Sequence, residues 1–181
     1  MTTIDLALLI VRVVLGVIFI IHGGQKLFGW YGGPGMKGMT QWLGSMGVAH
    51  PALFAGVATL SEFGGGLLVL VGLLTPLAAA FIVSTMVVAI VFAHVKNGFL
   101  NSNHGYEFNL SLIALALMLM LGGAGTISLD QLLGLAMPLD QLPLWAIVVL
   151  VFIPFGGIIS TELSRRVKGT PQVGVEQQRS A

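Results

Sequence analysis

Leu6 to Phe28 reads LALLIVRVVLGVIFIIHGGQKLF, and this stretch decides the fold class. A helix of ~20 mostly apolar residues crosses the hydrocarbon core of a bilayer, and in that setting it satisfies its own backbone donors and acceptors. The five residues before it, Met1-Thr-Thr-Ile-Asp5, carry no basic residue, and no small-residue cleavage pattern follows. The segment is therefore expected to remain as a transmembrane helix and not to be removed as a signal peptide. Four similar runs follow: about Pro51 to Leu74, Thr75-Pro76 to about Lys96, about Tyr106 to Leu121, and Leu142 to Ser160. Pro76 sits where a helix start tolerates it, and Pro154 with Gly156-Gly157 is the kind of interruption that membrane helices accept.

Composition narrows the function classes. Of 181 residues 56% are hydrophobic and 8% charged, where a soluble domain carries about 25% charged, so a soluble globule is excluded. Five spans use about 100 residues and leave no room for an extramembrane catalytic domain. A net charge of +1 supplies no basic field for nucleic acid. With no Cys, disulfides, thiol catalysis, iron–sulfur clusters and Cys-ligated zinc are all excluded.

Basic residues test the span count, because cytoplasmic loops carry the excess of Lys and Arg. With five spans Lys26, Lys37, Lys96, Arg165, Arg166, Lys168 and Arg179 fall on one side, and Asp5, Asp130 and Asp140 on the other. This predicts an N-terminus outside and a cytoplasmic C-terminus; a fifth segment lying at the interface is the alternative. The expected organisation is a four-helix membrane core over 1–130 with an interfacial loop at 29–50, a connecting loop and fifth helix over 131–161, and a disordered polar tail over 162–181. Within the loop, Met36, Met39, Leu43 and Met46 repeat with helical spacing, predicting a short amphipathic helix. With Trp30 and Trp42 it reads plainly as a membrane-surface helix, and more sharply as a cap over a ligand or partner site.

Ionisable groups inside a bilayer are costly and normally face the bundle interior with partners. The candidates are Arg12, His22, Lys26, Glu62, His94 and Glu107. Counting helical rise from the outer end puts Arg12 about 10 Å deep, Glu62 and Glu107 about 20 Å, and His22 and His94 about 25 Å. Four groups from four helices thus share one level. Gly64-Gly65-Gly66 next to Glu62 permits close helix approach. Ile18-Phe-Ile-Ile-His22 echoes Ile90-Val-Phe-Ala-His94, and Glu62-Phe63 echoes Glu107-Phe108, a pattern that would build a pseudo-symmetric polar pocket. Four chemistries suit the cluster: axial haem ligation by two His, a His/Glu metal site, a site for a small amphipathic molecule such as a quinone, and an ion-pair network that only fixes the bundle. The quinone reading is preferred, with no metal and no covalent cofactor.

Arg12…Gly16…His22-Gly-Gly-Gln-Lys26-Leu-Phe-Gly29, then Glu62-Phe-Gly-Gly-Gly66 through Gly72-Leu-Leu-Thr-Pro76, His94-Val-Lys-Asn-Gly-Phe99, Gly105-Tyr-Glu107-Phe-Asn-Leu110 and Gly122-Gly-Ala-Gly-Thr-Ile-Ser-Leu-Asp130 together resemble the DoxX family of small bacterial membrane proteins. The resemblance covers about residues 5 to 130 and implies an all-α, four-helix transmembrane bundle in the inner membrane. The fifth helix, and a Gly-Gly-Ala-Gly loop where the family more often has Gly-Pro-Gly, are departures. By resemblance the chain is the membrane subunit of a quinone-linked oxidoreductase or redox-stress system, with a soluble redox partner and possible self-association. Glu62, His94 and Glu107 would serve catalysis, and Arg12, His22, Lys26 and Tyr106 would bind ligand. A small proton-coupled transporter and a membrane scaffold or assembly factor are the alternatives.

Overall fold

A computed structural model of the chain describes residues 2–135, and the regular structure there is helical throughout. The fifth span, the tail and most of the connecting loop lie outside the described residues. α1 (Thr3–Phe28) opens on a capping box: the Asp5 carboxylate accepts the Thr2 amide at 2.6 Å while Thr2 Oγ1 accepts the Asp5 amide at 3.2 Å. It closes on Gly29, whose φ of +76° is the left-handed cap that glycine adopts without strain. α2 (Gly35–Ser45), α3 (Pro51–Val71), α4 (Thr75–Ala89), α5 (Glu107–Gly122) and the short α6 (Leu129–Leu132) follow.

α1, α3, α4 and α5 form the expected antiparallel bundle. α1, α3 and the helical stretch Thr75–Asn97 are each long and apolar enough to cross a membrane. α5, at 16 residues, spans about 24 Å by helical rise. Leu15, Phe19, Val69, Ile82 and Leu119 are fully buried between the helices, while Ile10, Val17, Leu60, Leu67 and Leu121 remain exposed on the outer faces. An apolar outer face is what lipid solvates.

Small residues set the α1–α3 seam. A Cβ on Gly16 would stand 2.9 Å from the Gly66 carbonyl, and one on Gly66 2.8 Å from the Ile20 amide. Backbone meets backbone here, the close approach that glycine allows. The three consecutive glycines divide their labour: Gly66 faces α1, Gly65 lies in ordinary contact with α4, and Gly64 faces open space.

The segment after α5 folds back over the end of the bundle where α1 starts. Asp130 accepts the amides of Leu74 at 2.6 Å and Thr75 at 2.9 Å, while its own amide reaches the Gly72 carbonyl at 2.8 Å. A carboxylate thus caps the N-terminus of α4 from far along the chain, satisfying orphan amides and complementing the helix dipole. It also holds Leu74 at φ +48°, a left-handed conformation rarely adopted by a branched residue. Asp130→Ala is expected to cost about 1–2 kcal/mol, the upper range for a lost cap, read as a lower melting temperature in detergent. An unchanged melt would remove the cap from the stability of this end.

α2 is the short amphipathic helix predicted from the methionine spacing. Its Met39 and Leu43 are buried with Val48 and Ala55 of the α3 side, and Met36 and Met46 pack against that cluster. The stripe is therefore turned onto α3, with Trp42 on its flank.

Candidate functional site

Lys26 lies in the last turn of α1, and the antiparallel seam brings it opposite the middle of α3. Its Nζ donates to both oxygens of Glu62, at 2.6 Å to Oε2 and closer still to Oε1. The Glu62 side chain is 3% exposed and that of Lys26 25%. A carboxylate so deeply buried requires a paired cation, and the neighbouring glycines let the two helices come close enough to supply it.

The pair sits on the wall of a cleft of about 560 Å³ between α2, α3 and α4. α2 contributes Met39, Trp42 and Leu43, α3 contributes Phe54, Val57, Ala58 and Ser61, and α4 contributes Thr85, Val88 and Ala89. Phe92 and His94 complete it beyond the end of α4. Apolar walls with a few placed polar groups describe a site for a molecule with an apolar body and a polar head.

His94 reaches the cleft through a backbone irregularity. In an unbroken α-helix it would lie about 180° around the axis from Thr85. Residues Ile90–His94 instead form a π turn, whose wider winding rotates each residue less and carries His94 back towards the face of Thr85. Its Nδ1 lies 2.8 Å from the His104 carbonyl. A carbonyl only accepts, so Nδ1 carries the hydrogen and Nε2 of the neutral ring is the acceptor.

None of the other four candidates lines the cleft. His22, one turn before Lys26 on α1, lies within electrostatic range of both Lys26 and Glu62 but is exposed outside the cleft, its ring 6.5 Å from that of Phe108. Glu107 accepts the Asn101 amide at 3.0 Å and so ties the α4–α5 loop. Tyr106 precedes α5 and stacks edge-on against Phe99 at 5.6 Å. Arg12 is 2% exposed and donates through Nη1 to the Ala124 carbonyl at 2.7 Å. It lies about 21 Å along α1 from Lys26 by helical rise, too far to counter Glu62. The shared level computed from the sequence does not become one shared pocket, because axial depth carries no information about which way a side chain faces. The His–Glu echo likewise yields unlike environments: Glu62 is buried in an ion pair, and Glu107 closes a loop. Among the described residues no group of three His, Asp or Glu side chains is arranged to hold a metal ion.

The pattern of the DoxX family matches residues 7–95. The chain is 32% identical over 126 residues to CatD of Bacillus subtilis (strain 168), provisionally named an oxidoreductase, across 70% of this chain and 86% of that one. This chain is a member of the DoxX family. It is also 33% identical over 129 residues to the inner membrane protein YphA of Escherichia coli (strain K12), covering 68% and 88% of the two chains, and 32% identical over 132 residues to the inner membrane protein YqjF of the same strain, covering 71% and 93%. No solved structure matches it. Every cleft residue lies inside the segment matched by the DoxX pattern, whereas Tyr106 and Glu107 lie beyond it.

In this DoxX protein the cleft also uses residues that the sequence did not single out as a site. Ser61 precedes Glu62 and Thr85 lies within α4, both in apolar runs with nothing in composition to mark them. Trp42 was legible as a membrane-surface anchor beside the methionine stripe, and in the structure it lines the cleft with Met39 and Leu43.

Proposed function

We propose that this DoxX protein is the inner-membrane subunit of a redox system, and that the cleft between α2, α3 and α4 docks a quinone on behalf of an electron-donating partner. The observation that carries this reading is an apolar cleft of about 560 Å³ with the Lys26–Glu62 pair and His94 on its walls. That volume lies within the ~300–1,000 Å³ of small-molecule sites, and the donor set fits a flat ring bearing oxygens. Lys26 has three N–H donors and directs two at Glu62, which leaves one for a ligand oxygen. His94 offers Nε2 as an acceptor, which the hydroxyl of the reduced quinol would fill. Trp42, Phe54 and Phe92 exclude water from an aromatic body, which strengthens both polar contacts. A bound quinone would take up electrons and protons. None of these side chains carries electrons, so a partner must deliver them.

The test is to extract the detergent-purified protein and identify what leaves it by mass spectrometry. Ala58→Trp fills the cleft while keeping both Lys26 and Glu62, and it is expected to remove the quinone that wild type carries from a protein that still folds. Wild type free of quinone, or the variant retaining as much as wild type, would overturn the reading; ion flux in liposomes would then favour a proton-coupled carrier.

The proposed orientation places the loop of α2 in the cytoplasm and α6 outside, following the Lys and Arg bias. In a chain without Cys, Met36→Cys should react with membrane-impermeant maleimide only after the cells are opened, and Gln131→Cys in intact spheroplasts. The reverse pattern would invert the orientation.

A further inference from the structure

The loop joining α4 to α5 is built with more constraint than a connection requires. Gly98 has φ +77°, and Gly105 packs so tightly that a Cβ there would stand 2.2 Å from the Gly98 carbonyl. Backbone bonds from Gly105 to Leu100, Tyr106 to Gly98 and Glu107 to Phe99 cross the loop at 2.9–3.2 Å. Glu107 holds the Asn101 amide from the side. At the apex His104 adopts a left-handed conformation, φ +59°. Its carbonyl accepts two hydrogen bonds, from His94 Nδ1 at 2.8 Å and from Asn97 Nδ2 at 3.1 Å. Two donors occupy the two lone pairs of one carbonyl, so its direction is set. Only the backbone of His104 takes part in these bonds.

We propose that this loop is a positioning device for His94. It holds the ring with hydrogen on Nδ1, so that Nε2 meets the cleft as an acceptor and selects a ligand carrying a phenolic O–H on that side. The hydrogen bond made by one ring nitrogen decides what the other offers. Asn97 is then a positioning residue acting through the His104 carbonyl, and Glu107 and Tyr106 act on the site through the shape of the loop. An O–H donor finds a fixed acceptor, whereas an ether or a keto oxygen at the same place leaves a polar nitrogen unpaired, which is the costlier situation. The ligand half of the proposal rests on the reading of the cleft as a site for an oxygenated aromatic ring; the orientation of the ring does not.

The first measurement needs no ligand. The full chain, labelled with 15N-histidine in detergent micelles, is recorded at a pH where the rings are neutral, and His94→Gln assigns the signal among the four histidines. His94 should show a protonated Nδ1 and an unprotonated Nε2. His104→Gly keeps the carbonyl and suits the left-handed backbone, so the signal should stay. Asn97→Ala should bring in a measurable share of the other tautomer while the melting temperature holds. Hydrogen on Nε2 in wild type, or a signal that Asn97→Ala leaves unchanged, overturns the device. The second measurement compares 4-methoxy-1-naphthol with 1,4-dimethoxynaphthalene, which differ by one O–H donor. Wild type should bind the naphthol about tenfold tighter, and His94→Phe should bring the two within about twofold. Equal binding by wild type overturns the selectivity. If neither compound binds while the tautomer is as stated, the aromatic-ligand reading of the cleft fails and the positioning device stands.

Discussion

Lys26→Ala is expected to destabilise the detergent-solubilised protein by about 3–5 kcal/mol, the range for removing one partner of a buried ion pair. The loss is large because the Glu62 carboxylate stays behind, 3% exposed in an apolar seam, with its two hydrogen bonds gone. Among the described residues Arg12 cannot take its place, being committed to the Ala124 carbonyl at the other end of α1. The double replacement Lys26→Met with Glu62→Leu removes the charge problem altogether and should recover most of the loss, since an apolar pair of similar volume is often as stable as the ion pair it replaces. Thermal unfolding of the two single variants and the double variant measures this directly. Additive losses would mean that the two side chains do not act as a pair. The recovered double variant also separates stability from function, because it should fold and yet bind no quinone.

Gly23→Ala should be at least as damaging, although it adds a single methyl group. The new Cβ would stand 2.5 Å from the Phe63 amide nitrogen and 2.6 Å from its Cα. These are backbone atoms of α3, so relief requires the two helices to separate, and no side-chain rotation will do. Overpacking costs about 1–3 kcal/mol where side chains yield, and more is expected where a helix must move, since separation also draws Lys26 away from Glu62. Gly64→Ala is the control: its Cβ meets nothing within 4 Å, and better helix propensity should leave stability equal or slightly raised. A Gly23→Ala variant that melts like wild type would show that the α1–α3 seam is wider than described.

The helices of this DoxX protein were legible in its sequence because a bilayer leaves few choices. Long apolar runs must become helices to satisfy their own backbones, and Phe28 and Thr75-Pro76 mark ends where the observed helices stop and start, while α3 stops at Val71, before the expected Leu74. The stripe Met36, Met39, Leu43, Met46 similarly named α2 by its spacing. That Glu62 needed a partner was also readable, since a carboxylate between Leu60 and Gly66 has no water to solvate it.

Which partner it has was another matter. Helical rise assigns each residue only an expected level, and on that count Glu62, His22, His94 and Glu107 were grouped together. Rotation about each axis decides which of them meet, and that depends on how the helices pack. The seam of Gly16, Gly23 and Gly66 turns Lys26 to Glu62 and leaves His22 outside the cleft. The π turn at Ile90–His94 brings His94 in, and loop closure takes Glu107 out. Asp130 caps α4 across 55 residues of sequence, a pairing invisible to any local pattern. The sequence by itself thus determined the helices and the need of Glu62 for a partner, because those follow from interactions within a few residues along the chain and from the solvent around it. The tertiary structure alone decided the facing of each group and the making of the cleft, because azimuth is set by contacts between segments far apart in the chain.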